Sequence, residues 1–350
     1  TSSLSGDLAA GQLVTIRADV ATNTTVTAAA GFTNASTLTI DSTATTSSRL
    51  LMGGTTLVNE APGELAFSGP GTGVRELRGR LDNRGRTTVD VDATIGDTGL
   101  SHLNSGEMHV DALATLVGSS LTNEPTGIVS GTGSLDVQNI AFTNAGIIAP
   151  GESTGVLSVV GNVPFDSTAN LAIELASESD HDQLAVTDSV ALAGTLDVSL
   201  IGGYAPVAGA SHTILTAGSI TGQFNAINGS PGGGFGYVVQ YFPMHVDLIV
   251  ITGLPGDYNN DGSVDAADYV VWRDLLGAVA GTLPNDIDGG SIGSLQYTTW
   301  KAHYGQMTPS SLEVDMDSVP ECSTVTLLLI GLFAGGVMRS KAAPWRRLLP

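Results

Sequence analysis

Six asparagines cut the first half of the chain into segments of nearly equal length. They stand in GFTNAS, TLVNEAPG, RLDNRG, HLNSGE, LTNEPTG and AFTNAG, at Asn34, Asn59, Asn83, Asn104, Asn123 and Asn144, with steps of 25, 24, 21, 19 and 21 residues. A segment recurring every ~20–50 residues marks a stacked-repeat fold, in which each unit buries its apolar face on the next. Apolar residues alternate within segments, as at Leu38 and Ile40 or Val89 and Val91, and that period belongs to strands. Asparagine bonds its own chain and tolerates left-handed backbone, and glycine allows a sharp bend, so both recur where a rung turns. The expected fold is mainly β: residues 1–160 form a β-solenoid, built as a right-handed β-helix. The steps vary too much to require that the asparagine side chains stack in a ladder.

Residues 161–253 continue the alternation at Leu171, Ile173 and Leu175, at Leu184 and Val186, and at Leu196, Val198 and Leu200. They read as further rungs or a capping sheet, closed by a strand pair at 236–251 with Pro243 near its turn. The text from FTNAGIIAPGESTG through SLIGGYAPVAGASHTILT resembles autotransporter-like passenger repeats of bacterial surface proteins.

A different pattern follows in GDYNNDGSVDAADYVVWRDLLG, residues 256–277. Counted from Asp257 as position 1, oxygen-bearing side chains fall at 3 (Asn259), 5 (Asp261), 7 (Ser263, through its carbonyl), 9 (Asp265) and 12 (Asp268), with Gly262 at 6. This is the spacing of an EF-hand-type calcium loop, because Ca²⁺ takes ~6–8 oxygens at ~2.3–2.6 Å and the chain must turn sharply at position 6. A helical run is expected from Tyr269 to Leu276. The segment recurs 28 residues later, with Gly262, Val264, Tyr269, Trp272 and Gly277 answered by Gly290, Ile292, Tyr297, Trp300 and Gly305.

Two loop-helix units in tandem resemble a type I dockerin, over residues 256–306. The resemblance implies a small α-helical calcium module on a secreted protein, with a cohesin-like or other surface partner. That partner would be read at loop positions 10 and 11, here Ala266, Ala267, Ser294 and Leu295. The first loop carries the full ligand pattern, whereas positions 1, 3, 5, 9 and 12 of the second are Asn285, Ile287, Gly289, Gly293 and Gln296, without a carboxylate. One Ca²⁺ site and one relic are expected.

Composition bounds the function. A net charge of −21 argues against nucleic acid, whose phosphates need a basic surface. The single cysteine, Cys322, excludes an internal disulfide framework. One basic cluster, Arg75, Arg78, Arg80, Arg84 and Arg86, has period-2 pairs that would share a strand face, either solvated or open to an acidic polysaccharide. Glu178 and Asp180-His181-Asp182 are the densest candidate for acid-base or metal chemistry, but adjacent strand residues point to opposite faces. His102, His109, His212, His245 and His303 lack metal-ligand spacing.

The C-terminal text VPECSTVTLLLIGLFAGGVMRSKAAPWRRLLP resembles a PEP-CTERM sorting tail, with Pro320-Glu321-Cys322 in place of Pro-Glu-Pro. Seventeen uncharged residues separate Glu321 from Arg339; as a helix they would reach ~25 Å, against a hydrocarbon core of ~30 Å that flanking basic side chains help to span. The expected organisation is solenoid at 1–160, further β-rungs or cap at 161–253, calcium module at 256–306, linker at 307–320 and a C-terminal hydrophobic helix within 321–350. A start at TSSLSGDLAA implies a mature or truncated form. The expected role is that of a non-catalytic, exported bacterial surface protein, acting in attachment or presentation and held to the envelope by its tail. The alternative is a β-helix polysaccharide lyase or glycoside hydrolase carrying a dockerin. Such an enzyme would need convergent acidic and basic residues on one face, and lysine is absent before Lys301.

Overall fold

The computed structural model describes residues 2–232, 235–279, 281–286, 288 and 290–305. The segments 307–320 and 321–350, expected as linker and sorting tail, lie outside the described residues. Among the described residues no helix is long and apolar enough to cross a membrane.

The chain winds as a β-solenoid with three short strands per turn. One turn runs through Ala93–Gly96, Ser101–Asn104 and Glu107–Val110, and the next through Leu113–Val117, Ser120–Asn123 and Ile128–Gly131. Each strand pairs in parallel with its counterpart one turn on: Ala93 with Ala114, Asn104 with Asn123, and Glu107 with Ile128. Three faces result, and the third carries ten parallel strands.

Alternation decides what lies inside. On the third face Leu38, Leu65, Thr87, Met108, Val129, Ile148, Leu171 and Leu196 follow one another in register, all essentially buried. Burying each large side chain stabilises by ~1.5–3 kcal/mol relative to exposure. Thr87 is the one polar member, and its hydroxyl donates to Asn83 Oδ1 at 3.0 Å.

The asparagines form a ladder at the corner between the second and third faces. Asn34 Nδ2 donates to Asn59 Oδ1, Asn59 to Asn83, Asn83 to Asn104, Asn104 to Asn123 and Asn123 to Asn144, all at 2.7–2.8 Å. The second amide proton of each donor goes to a backbone carbonyl of the next turn, those of Glu64, Arg86, Glu107, Ile128 and Ile147. The unequal sequence steps do not break the ladder, because the extra residues leave at other corners. Gly53 and Gly54 fall in the register shift between Leu51 and Thr56, and the turn after Ser68 is long.

Glycine follows each later asparagine by two or four residues and stacks on its counterpart so closely that a Cβ on Gly85 or Gly106 would lie 2.2 or 2.1 Å from the preceding glycine's carbonyl oxygen. At Asn144 the ladder stops: its bridge partner is Phe165, and Asn144 Nδ2 has no hydrogen-bond partner among the described residues. Phe165 instead meets Phe224 edge-on, with centroids 6.3 Å apart.

Parallel stacking reaches Ala226–Asn228 on the third face. The first face closes differently, with His245–Thr252 antiparallel to both Ser211–Thr216 and Phe235–Tyr241. Beyond it lie two short helices, α1 (Ala266–Asp274) and α2 (Ser294–His303).

The ladder predicts unequal costs along its length. Asn83 makes four side-chain hydrogen bonds, and a buried polar group left without its partner costs ~1–3 kcal/mol. Asn83→Ala should therefore destabilise by ~3 kcal/mol or more in denaturant titration, against about 1 kcal/mol for Asn144→Ala at the ladder's end. Equal losses would contradict the ladder.

Candidate functional site

Residues 257–268 fold into one compact loop around their own carboxylates. Asp257 is 2% exposed and Asp268 fully buried. Asp257 accepts the amides of Asp261 (3.1 Å) and Gly262 (2.9 Å), and Asp268 accepts those of Asn259 (2.9 Å) and Asp265 (2.7 Å). Position 6 requires its glycine, since Gly262 sits at φ 85°. Asn259 Nδ2 donates to Asp261 at 2.7 Å, and Asp261 accepts the Ser263 amide at 2.9 Å. Asp265 caps α1 by accepting the Ala267 amide at 2.7 Å, so the helix begins at Ala266, three residues before the expected Tyr269.

The first loop thus holds Asp257 and Asp268 on its own backbone amides, joins Asn259 to Asp261 and uses Asp265 to cap α1; no three of its four carboxylates bring ligand atoms within 4.8 Å of one another. Burial pushes the Asp257 carboxyl up to about 6; the neighbouring Asp268 and Asp261 charges add to this, while the Gly262 and Asp261 amides oppose it. No ion pair among the described residues involves Asp257, Asp261, Asp265 or Asp268. The donor set is all oxygen, and each buried carboxylate keeps lone pairs beyond those its amides use. In donor type, all oxygen, these residues suit a hard divalent cation.

The 28-residue repeat appears in space as an exchange of partners. Trp272 Nε1 donates to the Gly293 carbonyl (2.8 Å) and Trp300 Nε1 to that of Asp265 (2.7 Å). Likewise the Gly277 amide donates to Ile292 (2.9 Å) and the Gly305 amide to Val264 (2.8 Å). Tyr269, Trp272, Tyr297 and Trp300 pack between the helices with centroids 5.0–6.1 Å apart.

The second loop is built differently from the first. Gln296, 1% exposed, stands where Asp268 stands in the first unit. Its Oε1 accepts the Gly293 amide at 2.8 Å, and its Nε2 donates to Asp286 at 3.2 Å. One neutral amide thus supplies the acceptor and, toward Asp286, the positive end of a dipole. Asn285 donates to the Asp257 carbonyl at 2.6 Å, tying the second loop to the first. Ile287 and Gly289 lie outside the described residues.

The five arginines do not form one patch. Arg75 is 2% exposed and donates to the carbonyls of Ser68, Gly73, Ser42 and Gly69, filling the glycine-rich turn that precedes it. Arg78 pairs with Glu76 (3.2 Å), Arg84 with Asp82 (2.8 Å) and Glu60 (2.7 Å), and Arg86 with Glu107 (3.3 Å). The strand Arg75–Asn83 bends from the first face to the second, so Arg78, opposite Leu51, and Arg80, opposite Thr56, lie on either side of a register shift rather than on one face.

Asp180, His181 and Asp182 diverge. Asp180 accepts the Thr154 hydroxyl, His181 Nε2 lies 3.3 Å from the Thr213 carbonyl, and Asp182 turns inward to accept the Gly155 and Glu174 amides. Burial raises the Asp182 carboxyl to about 7. His102 is wholly interior, with Nδ1 accepting the Leu81 amide and Nε2 donating to the Val117 carbonyl, and burial lowers its pKa. Sequence reasoning passed over one convergence, that of His109 with Asp111 and Glu152. The only sequence signal for it is a His-x-Asp step on a third-face strand.

No family model matches the chain. No curated protein matches it either.

Gln296→Ala removes a buried amide and leaves the Gly293 amide and Asp286 without it, so it should lower stability by ~1–3 kcal/mol while leaving calcium stoichiometry unchanged. Differential scanning calorimetry checks the first and a calcium titration by isothermal calorimetry the second, and lost calcium binding would show that the second loop holds a ligand.

Proposed function

We propose that residues 256–305 form a dockerin-like module braced by one Ca²⁺, held through Asp257, Asn259, Asp261, the Ser263 carbonyl, Asp265 and Asp268. The observation that carries this reading is a pair of carboxylates, Asp257 and Asp268, buried in one loop whose charged neighbours are themselves acidic. Such an arrangement is costly without a cation, because a buried carboxylate must be paired or neutralised. The exchange of tryptophan and glycine bonds between the two units supports a duplicated loop-helix module.

In this reading the protein is exported, and its β-solenoid is a non-catalytic stalk that presents the module at the cell surface for attachment to a cohesin-like or other surface partner. The apolar run before Arg339 holds the chain to the envelope. The rigidity of continuous parallel stacking suits a stalk, and the divergence of Asp180, His181 and Asp182 leaves the lyase or hydrolase reading without its densest candidate cluster.

Titration calorimetry of the full chain with CaCl₂ should give one oxygen-ligated site. Because only the folded loop gathers the ligands, binding free energy becomes folding free energy. Asp257→Ala and Asp268→Ala should each bring the module's melting temperature in calcium close to its value in chelator. Two equivalent sites would overturn the assignment of the second loop, and no calcium-dependent heat would overturn the proposal.

A further inference from the structure

We propose that His109, Asp111 and Glu152 form a second and chemically distinct cation site, on the outer side of the solenoid's third face, for a first-row divalent transition metal such as Zn²⁺. His109 is only 5% exposed, although its strand neighbours Met108 and Val110 fill the interior and its own side chain faces outward. Its Nε2 lies 3.0 Å from Asp111 Oδ2 and 3.0 Å from Glu152 Oε1. All three ligand atoms fall within 4.8 Å of one another.

Glu152 arrives from 43 residues away by a specific turn. The Gly151 amide donates to the Gly131 carbonyl at 2.8 Å, and the Gly155 amide donates to Asp182 at 2.9 Å. The two anchors fold residues 151–155 back toward His109. Asp111 is fixed from its other oxygen, which accepts the amide and hydroxyl of Thr132 at 3.1 and 3.2 Å.

Proton counting points to a cation. Ser130 Oγ lies 2.9 Å from His109 Nδ1 and 3.2 Å from Glu107 Oε1. A serine has one proton to give and a carboxylate none, so the hydroxyl donates to Glu107 and His109 Nδ1–H donates to the hydroxyl. The Nε2 lone pair then faces two carboxylate oxygens. That geometry is repulsive unless positive charge stands between them, and a divalent ion satisfies all three groups where a single proton leaves net negative charge. An imidazole whose far nitrogen is tied to a hydroxyl and a carboxylate is also how metal-bound histidines are oriented.

Both separations from Nε2, 3.0 Å each, fit. Metal–ligand bonds of ~2.0–2.2 Å place neighbouring ligands ~3.0–3.4 Å apart in octahedral or tetrahedral shells. A mixed imidazole-carboxylate set favours first-row metals over Ca²⁺, which takes oxygen. The Asp111 and Glu152 side chains are 29% and 67% exposed, so solvent can reach the remaining coordination positions.

The test uses the full chain in excess Ca²⁺, which occupies oxygen-only sites, with Co²⁺ as the probe. One equivalent should develop visible d–d absorption and be displaced by Zn²⁺. His109→Gln should abolish the band. Glu152→Gln, on an exposed turn where folding is not at risk, should weaken Co²⁺ binding at least ~10-fold. No band in the unsubstituted chain, or a band unaffected by Glu152→Gln, would overturn the proposal. If His109→Gln does not fold, Glu152→Gln alone decides.

Discussion

The stacking of this solenoid depends on a buried asparagine having two amide protons and one carbonyl oxygen, and on all three being used. Along the corner from Asn34 to Asn144 each donor gives one proton to the next asparagine and one to the backbone of the next turn. Aspartate would lack the protons, and leucine would orphan the groups above and below it. Because the side chains are interior, each such orphan carries a desolvation cost. The ladder also fixes register, since a slip of one residue would send every asparagine to the outer face. Hydrophobic columns such as Leu65 to Leu196 supply the larger share of the stability, but they tolerate exchange among Leu, Ile, Val and Met in a way the asparagine column does not.

The same rule, that buried polar groups must be matched, organises the helical module. Its two units share tryptophan and glycine contacts that swap under the 28-residue shift, yet they treat position 12 differently. In the first unit it is an anion, Asp268, among other anions; in the second it is a neutral amide, Gln296, that donates to Asp286. The second loop therefore supplies a side-chain donor to one of its carboxylates, where the first leaves Asp257 and Asp268 to backbone amides. On the third face, His109 between Asp111 and Glu152 poses the same matching problem with a nitrogen among its groups.

Much of this was legible in the chain. The asparagine period and the alternation around it announce stacked strands, and Gly262 announces the sharp turn it makes at φ 85°. What was not legible depends on where residues leave the regular path. The steps of 25 and 24 residues argued against a ladder, but Gly53, Gly54 and the turn after Ser68 absorb the surplus at corners away from the asparagines. Arg75 reads as one of five surface cations, and nothing local announces that the turn before it leaves four carbonyls for its guanidinium. His109 and Glu152 are brought together only by the pitch of the solenoid and the fold-back at Gly151, a distance at which no spacing rule applies. Gln296 reads as a lost ligand because the sequence does not show Asp286 beside it.

The ladder is open to direct measurement by hydrogen exchange at the asparagine side-chain amides, followed by ¹⁵N-resolved NMR of the full chain. Slow exchange is expected for the Nδ2 protons of Asn34, Asn59, Asn83, Asn104 and Asn123, whose two protons are both bonded inside the solenoid. Measurably faster exchange is expected for Asn144, whose Nδ2 has no hydrogen-bond partner among the described residues. Uniformly fast exchange at all six, or protection at Asn144 equal to that at Asn83, would contradict the claim that a continuous asparagine ladder sets the stacking.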